Sequence, residues 1–225
     1  MSAYFVTATG TDIGKTFVTA GLVRHLRQTT KKVTALKPIV SGFDIATAAI
    51  SDPAVLLDAL EEPISVEALT RISPWQFAAP LSPDMAAARE GREIVFSELV
   101  AFCREAMAKN DGTLFIEGVG GIMVPLDSEH TVLDWAKALD LPLIVVAGSY
   151  LGTISHTLSA LDVIARARLT VAALVVNDSG DGAVPLEETL VTLRRFTKTI
   201  PIATVPRVKA PAGAREAFAA LAALL

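Results

Sequence analysis

Three residues at the start of a predicted helix constrain the fold more than any others in the chain. Gly14, Lys15 and Thr16 follow a short apolar run and open a helical pattern. In a phosphate-binding loop of this kind, backbone N–H groups and the helix N-terminus meet the phosphate oxygens. Lys15 would place its charge on the β- and γ-phosphates, and the Thr16 hydroxyl would ligate Mg²⁺. Thr9 stands where the first glycine of the common pattern is expected, and the alternative is that the three residues only start a helix.

Short β-branched runs alternate with longer helical patterns along the chain, which predicts a mostly parallel sheet with helices on both faces. Strands that are buried on both faces are expected to be almost continuously apolar, as these runs are. The predicted strands are 4–7, 33–37, 113–117, 143–147, 171–176 and 202–205. Apolar residues at three- and four-residue spacing predict helices at 15–28, 96–108, 153–167, 186–196 and 212–225.

Residues 39–92 depart from this alternation. Prolines separate short helical pieces at 53–60 and 85–90. Long irregular insertions in compact domains often carry function. The sequence therefore predicts a single α/β domain over residues 1–225, with an insertion of loops and helical turns at 39–92.

Composition excludes several classes of partner. The formal net charge is −4, so the chain has no basic footprint for nucleic acid. No apolar run reaches the ~18 residues needed to span a bilayer, and the first residues do not form a secretory leader. Cys103 is the single cysteine, which fits a reducing compartment. We predict a cytoplasmic protein that binds neither nucleic acid nor membrane.

Two charged residues stand at the ends of predicted strands. Glu117 ends the strand at 113–117, and Lys37 ends the strand at 33–37. Because ligands bind at the carboxyl edge of α/β sheets, both side chains would face the crevice that holds Lys15. Two lysines and Mg²⁺ suit phosphoryl transfer, which depends on positioning and charge stabilisation. The alternative for Lys37 is a solvated lysine at a strand end.

Asp52 has two interpretations. It lies between Ser51 and Pro53, which is typical of a helix start, so its carboxylate could serve the first turn of a helix. It could also bind metal, and its spacing alone does not favour that interpretation.

Further motifs follow the phosphate-binding loop in a fixed order. Residues 37–42 read Lys-Pro-Ile-Val-Ser-Gly, and residues 117–121 read Glu-Gly-Val-Gly-Gly. Residues 80–83 read Pro-Leu-Ser-Pro, and residues 151–157 read Leu-Gly-Thr-Ile-Ser-His-Thr. Together with the loop at 6–16, this set resembles the dethiobiotin synthetase family over most of the chain. The resemblance implies a P-loop NTPase-like fold.

The resemblance also implies an ATP-dependent ligase of biotin biosynthesis. In that family 7,8-diaminopelargonate takes up CO₂ as a carbamate, and ATP phosphorylates the carbamate. The second amine then attacks the mixed anhydride and closes the ureido ring of dethiobiotin, with release of ADP and phosphate. The family uses Mg²⁺ and works as a homodimer with the diamine at the subunit interface, where the loop at 148–156 would reach the substrate from the partner subunit.

The resemblance assigns roles residue by residue. It implies that Lys37, Lys15 and Thr11 are catalytic. It implies Mg²⁺ ligation by Thr16, Asp52 and Glu117. Nucleotide-binding residues would be Asp12, Ile13, Gly14, Lys15, Thr16, Phe17, Asp52, Glu117, Gly118, Gly120, Asn177 (on adenine), Pro206 and Arg207. Substrate-binding residues would be Thr11, Lys37, Ser41, Val119, Gly120, Leu151, Gly152 and Ser155.

The chain departs from the family pattern at a few positions. Ala8 and Gly10 stand where the family often has Gly and Asp, and Asp84 stands where a His is common. Ser155 replaces the usual Asn, and it matters most because its loop approaches the substrate. His156 receives no catalytic role, since it could equally be a packing histidine.

Two other classes of protein share parts of this pattern. The alternative interpretation is a nucleotide-switched partition-type ATPase, whose signature lysine is replaced here by Gly10 and whose second glycine is replaced by Asp12. A cobyrinate amidotransferase-like synthetase would need a glutaminase domain with a nucleophilic cysteine. The chain is too short for that domain, and Cys103 falls within a helical pattern.

Overall fold

The computed structural model describes residues 1–29, 32–178, 184–208 and 211–225. Its strands are β1 (Ser2–Ala8), β2 (Val33–Leu36), β3 (Ile39–Ser41), β4 (Trp75–Phe77), β5 (Thr113–Glu117), β6 (Leu143–Gly148), β7 (Val171–Asn177) and β8 (Ile202–Val205). All six predicted strands are present, within two residues of their predicted bounds. Lys37 lies one residue beyond β2 rather than at its end.

Six strands form one parallel sheet in the order β2-β5-β1-β6-β7-β8. The register places Val6 of β1 opposite Glu117 of β5, and Gly148 of β6 opposite Asn177 of β7. The inner strands are β5, β1, β6 and β7, and the side chains of β1, β5 and β6 are almost fully buried. The loops that follow the strands therefore meet at one edge of the sheet, around the end of β1.

The α-helices connect these strands. They are α1 (Lys15–Gln28), α2 (Asp52–Ala59), α3 (Val66–Ile72), α4 (Pro83–Arg89), α5 (Phe96–Lys109), α6 (Val132–Leu139), α7 (Thr153–Arg166), α8 (Leu186–Thr197) and α9 (Arg215–Ala222). The crossover through α1 runs from β1 toward β2, whereas the crossover through α7 runs the opposite way across the sheet. Since parallel crossovers are right-handed, the two helices cover opposite faces. The predicted fold class is confirmed.

The segment 39–92 contains more regular structure than we predicted. β3 and β4 form a separate two-stranded parallel sheet, and a 3-10 helix spans Ile45–Ile50. The predicted helices at 53–60 and 85–90 correspond to α2 and α4. The sequence prediction missed α3, whose start is capped by the Ser65 hydroxyl accepting from Ala68 N at 3.1 Å.

Helix α6 was also missed, although its signal is present in the sequence. Thr131 precedes it, and the Asp134 carboxylate accepts from the Thr131 backbone N–H at 3.0 Å. The apolar residues Val132, Trp135 and Leu139 face the core, where Trp135 packs edge-on against Phe5 with ring centroids 4.9 Å apart. A reciprocal cap followed by apolar residues at helical spacing is sufficient to predict a helix.

The C-terminal helix docks on the first helix of the chain. α9 is shorter than the predicted 212–225, because a 3-10 helix over Pro211–Ala214 precedes it. Phe218 is buried and its ring lies directly over Gly21 of α1. Cys103 lies on α5, within the predicted helix, and is fully buried. In the described parts of the chain, no helix is both long and apolar enough to cross a membrane.

Candidate active site

The loop between β1 and α1 has the backbone geometry of a phosphate cradle. Gly14 is the N-cap of α1 and has φ +92°, a left-handed conformation that glycine adopts without strain. Asp12 has φ +57°, which Asp tolerates better than most residues. Lys15 is buried, and its Nζ lies 3.5 Å from the Gly10 carbonyl oxygen. The lysine therefore folds back over the loop, where a phosphate group would lie.

The loop after β5 is joined to the phosphate loop by backbone contacts. Gly118 N donates to Val6 O at 2.9 Å, and Ile122 N donates to Ala8 O at 2.9 Å. A Cβ on Gly121 would lie 3.3 Å from the Gly10 backbone, so the two loops approach closely there. The glycine-rich element predicted from the sequence thus supports the phosphate loop.

Lys37 lies between two carboxylates. Its Nζ is 2.7 Å from Glu117 Oε1 and 2.9 Å from Asp52 Oδ2. Lys37 and Glu117 are both buried, with Glu117 fully inaccessible to solvent. Burial alone would lower the pKa of Lys37, but the charges of Glu117 and Asp52 outweigh it and hold that pKa above its ordinary value. Lys37 is therefore a fully charged ammonium, and not a solvated strand-end lysine.

Glu117 offers an oxygen to a further ligand. Its Oε1 accepts from Thr16 Oγ1 at 2.6 Å as well as from Lys37. Its Oε2 is buried and has no hydrogen-bond partner among the described residues. A buried carboxylate oxygen without a partner is energetically costly, and a cation beside it would satisfy it. The predicted metal ligands Thr16, Asp52 and Glu117 therefore fit Mg²⁺.

The candidate metal site is sparse in protein ligands. Among the described residues, no group of three or more His, Cys, Asp or Glu side chains converges on one point. The predicted set has two carboxylates and one hydroxyl, which suits Mg²⁺ because that ion keeps several waters and binds substrate phosphates.

Asp52 stands at a helix start, as one of its two interpretations predicted, and its binding of metal stays a prediction. It is the first residue of α2, and the helix is capped by Ser51. Burial would raise the pKa of Asp52, but the Lys37 charge and hydrogen bond outweigh it and lower that pKa. Asp52 is thus an ionised carboxylate that the start of α2 places beside Lys37.

Lys15 has the opposite electrostatic balance. Its burial and the positive charge of Lys37 lower its pKa to about 8, and the nearby carboxylates only partly offset them. Because burial is the main cause, an anion bound in the loop would favour the charged form of Lys15.

A cavity of about 770 Å³ opens beside the phosphate loop. Thr11 lines it, while most of its wall is apolar and includes Ile122, Val124 and Val163. Tyr150 and His156 are among its polar lining residues, and the Tyr150 hydroxyl lies 2.9 Å from His156 Nδ1. The sequence analysis missed this pair, because nothing in a loop of mixed composition reports that two side chains six residues apart meet.

Several predicted site residues lie elsewhere around the same edge. Ser41 ends β3 and is half-buried, and Val119 is buried in the loop after β5. Leu151, Gly152 and Ser155 are exposed at the start of α7 and do not line the cavity. Gly120, in the loop after β5, has φ +58°.

The predicted nucleotide-binding residues are more dispersed. The Phe17 ring packs on Phe218 with centroids 5.9 Å apart, which leaves its backbone as the part that could meet a phosphate. Pro206 and Arg207 are exposed beyond β8. The Asn177 side chain reaches the phosphate loop and donates to Ile13 O at 3.1 Å.

Comparison with known proteins decides the family. Residues 2–214 match the profile of a family described as an AAA domain. The chain is 48% identical to the ATP-dependent dethiobiotin synthetase BioD of Acidiphilium cryptum (strain JF-5), covering 89% of this chain and 91% of that one. It is 44% identical to the protein of the same name from Phenylobacterium zucineum (strain HLK1), covering 99% of this chain and 96% of that one. The chain belongs to the dethiobiotin synthetase family.

Solved structures support the fold of a dethiobiotin synthetase but carry no argument about its activity. A chain of the MinC:MinD cell division protein complex of Aquifex aeolicus superposes with a TM-score of 0.60 at 12% identity, covering 99% of this chain and 94% of that one. The ParA family ATPase of Chlorobium tepidum TLS superposes with a TM-score of 0.58 at 13% sequence identity, covering 100% of this chain and 91% of that one. At such low identity these similarities show a shared nucleotide-binding fold alone.

Proposed function

We propose that this chain closes the ureido ring of dethiobiotin from 7,8-diaminopelargonate, CO₂ and ATP, as an ATP-dependent C–N ligase of biotin biosynthesis. The observation that carries the proposal is the cluster of Lys15, Lys37, Thr16, Asp52 and Glu117 at one edge of the sheet. This cluster supplies what transfer of a phosphoryl group to a carbamate needs, in a chain whose curated relatives are dethiobiotin synthetases.

The phosphate loop would hold the ATP phosphates. The first backbone N–H groups of α1 have no helical acceptor and would donate to phosphate oxygens. Lys15 supplies a charge beside them, and the phosphates would offset the burial and repulsion that lower its pKa. No protein nucleophile is needed, because positioning and electrostatic stabilisation account for most of the catalysis of phosphoryl transfer.

Thr16, Asp52 and Glu117 would hold Mg²⁺. When bound, the ion would neutralise negative charge on the transferring phosphates. The partnerless Glu117 Oε2 supports this assignment. Lys37 shares both carboxylates with the metal site, so its ammonium stays next to the group being transferred and would stabilise the carbamate oxygens.

The cavity beside the loop would accept the diamine. Thr11 lies where the cavity meets the phosphate loop, and Ser41 follows Lys37 by four residues. The apolar wall suits the aliphatic chain of 7,8-diaminopelargonate, with the two amines directed toward Thr11 and Lys37. Confining the carbamate and the second amine in one cavity would favour ring closure over hydrolysis of the mixed anhydride.

A homodimer belongs to the same proposal. Leu151 is 77% exposed and Met123 is 51% exposed, and these apolar side chains suit burial against a second subunit. Leu151, Gly152 and Ser155 would then contact the diamine of the partner subunit. A cytoplasmic location and a single-domain organisation stay predictions; the free, buried thiol of Cys103 supports the former.

The test is phosphate release from ATP with Mg²⁺ and bicarbonate, with and without 7,8-diaminopelargonate. We expect release to depend on the diamine and to accompany a product heavier by one carbonyl group. Lys37→Ala should lower turnover by at least about a hundredfold. Arg27→Ala, which removes a half-buried cationic side chain in the last turn of α1, far from the phosphate loop, serves as its control. Slow release that is indifferent to the diamine would instead support the partition-type ATPase.

A further inference from the structure

The amide of Asn177 contacts the phosphate loop from a strand that is not adjacent to it. Asn177 is the last residue of β7, where it pairs with Gly148 of β6 and Val205 of β8. β6 lies between β7 and β1 in the sheet. Asn177 Nδ2 nevertheless donates to the Ile13 carbonyl oxygen at 3.1 Å.

A second contact holds the same amide over the next residue of the loop. A Cβ on Gly14 would lie 2.2 Å from Asn177 Nδ2 and 3.3 Å from its Cγ. Only a glycine leaves room for the amide at this position. Asn177 therefore packs on the N-cap of α1 as well as bonding to the residue before it.

These two contacts fix one peptide plane. In a trans peptide the Ile13 carbonyl and the Gly14 N–H point in opposite directions. Because the Asn177 amide holds the Ile13 carbonyl on one side, the Gly14 N–H points to the other side. The orientation of the first residues of α1 is fixed in the same way. We propose that Asn177 is a positioning residue that holds the phosphate loop in its anion-binding conformation. This inference rests on the proposed function, because it requires that the loop bind the ATP phosphates.

The Asn177 side chain has enough hydrogen-bonding groups to position the loop and to contact the adenine base as well. A side-chain amide has two N–H donors and one acceptor oxygen. One donor is used on Ile13, which leaves one N–H and the Oδ1 atom. Those two groups complement the N7 acceptor and N6 donor of adenine. Asn177 would thus connect the base to the phosphate loop through one rigid strand end.

A ligand without a base separates the two roles. We would measure the binding of ATP and of inorganic tripolyphosphate, each with Mg²⁺, to the full chain and to Asn177→Ala by calorimetry. If Asn177 positions the loop, the variant binds tripolyphosphate about three- to tenfold more weakly, the range expected for one lost hydrogen bond, and it binds ATP more weakly still. If only ATP binding weakens and tripolyphosphate binding is unchanged, the residue contacts the base alone and the inference is wrong.

Asn110→Ala is the matched control. The Asn110 side chain likewise donates to backbone carbonyls, those of Ser2 and Gly112 at 3.1 Å each, but near the start of β1. It should lower stability without changing tripolyphosphate binding; an equal loss of binding in both variants would overturn the positioning role. A wild-type chain that binds neither ligand would overturn the proposed function itself.

The contact with Gly14 gives an independent test in the same assay. Gly14→Ala should weaken tripolyphosphate binding less in the Asn177→Ala background than in the wild type, because the collision at 2.2 Å is then gone. Equal effects in both backgrounds would contradict the inference.

Discussion

Lys37 pairs with the buried carboxylate of Glu117 and with the carboxylate of Asp52, which solvent partly reaches. Its bond to Glu117 joins residues that lie 80 positions apart in the chain. The attraction in such a pair compensates for the loss of hydration of both charges only while both partners are present. The stability of the site therefore depends on the pair and not on either residue.

Removing one partner should be far more damaging than removing both. We expect Lys37→Met to lower the free energy of unfolding by about 3–5 kcal/mol at neutral pH, since it leaves Glu117 buried without its cation. The double variant Lys37→Met/Glu117→Gln should recover most of that loss. Denaturant unfolding measures both.

An exposed ion pair provides the comparison. Arg27 and Glu61 lie 2.9 Å apart on the surface, and Arg27→Met should change stability by less than about 1 kcal/mol. If the losses of Lys37→Met and Glu117→Gln simply added in the double variant, the two residues would not be coupled and this interpretation would fail.

The sequence predicted that several candidate site residues would gather at one edge of the sheet, but it did not predict their contacts. Lys15, Lys37 and Glu117 were identified because strand ends and glycine motifs mark them. The pairing of Lys37 with both carboxylates was not predicted, since no local pattern reports the distance between two loops. The same holds for Asn177, whose amide reaches a residue 164 positions away.

Among the structural elements, the contact between α1 and α9 is unusually close. The Phe218 ring occupies the space that a side chain at Gly21 would need, and a Cβ there would lie 2.0 Å from Phe218 Cζ. Glycine weakens a helix interior by about 1 kcal/mol relative to alanine. Here that weakness is compensated by the burial of an aromatic ring.

Gly21→Ala should therefore destabilise the protein, although alanine has the higher helix propensity. We expect a loss of about 1–3 kcal/mol from overpacking, measured by thermal or denaturant unfolding. In a Phe218→Leu background, which removes the outer ring atoms, the same change should be neutral or slightly stabilising. A more stable Gly21→Ala in the wild-type background would show that α9 moves aside freely.

Helices were predicted correctly where the helical spacing of apolar residues extends over several turns. α1, α5, α7 and α8 have eleven or more residues in the predicted pattern and were placed within one residue at each end. The short helices α3 and α6 were missed, because seven or eight residues contain only two turns of the period. Their caps at Ser65 and Thr131 were the available signal.

In the molecule as a whole, the buried thiol of Cys103 makes stability depend on pH. It is fully buried on α5, and burial raises the pKa of its thiol to about 12 from an ordinary value of 9.0. Above pH 9 the unfolded chain loses this proton while the folded protein keeps it. The folded state is therefore destabilised as pH rises from about 9 toward 12.

The contribution of this thiol can be isolated with Cys103→Ala. Between pH 8 and pH 10 the wild type should lose about 1.4 kcal/mol more stability than the variant, which is one pKa unit of linkage. Urea unfolding at the two pH values gives the difference. Equal losses in both proteins would mean that the thiol ionises in the folded state.

The strand order also sets the time at which the active site can exist during synthesis. β1 emerges from the ribosome before β5 and β6, the strands on either side of it, and before Asn177, which holds the loop that follows it. At ~5–20 residues per second, the 164 positions between Ile13 and Asn177 take roughly ten to thirty seconds to translate. The nascent chain therefore carries its phosphate loop for that interval before Asn177 is available to hold the loop in its native conformation.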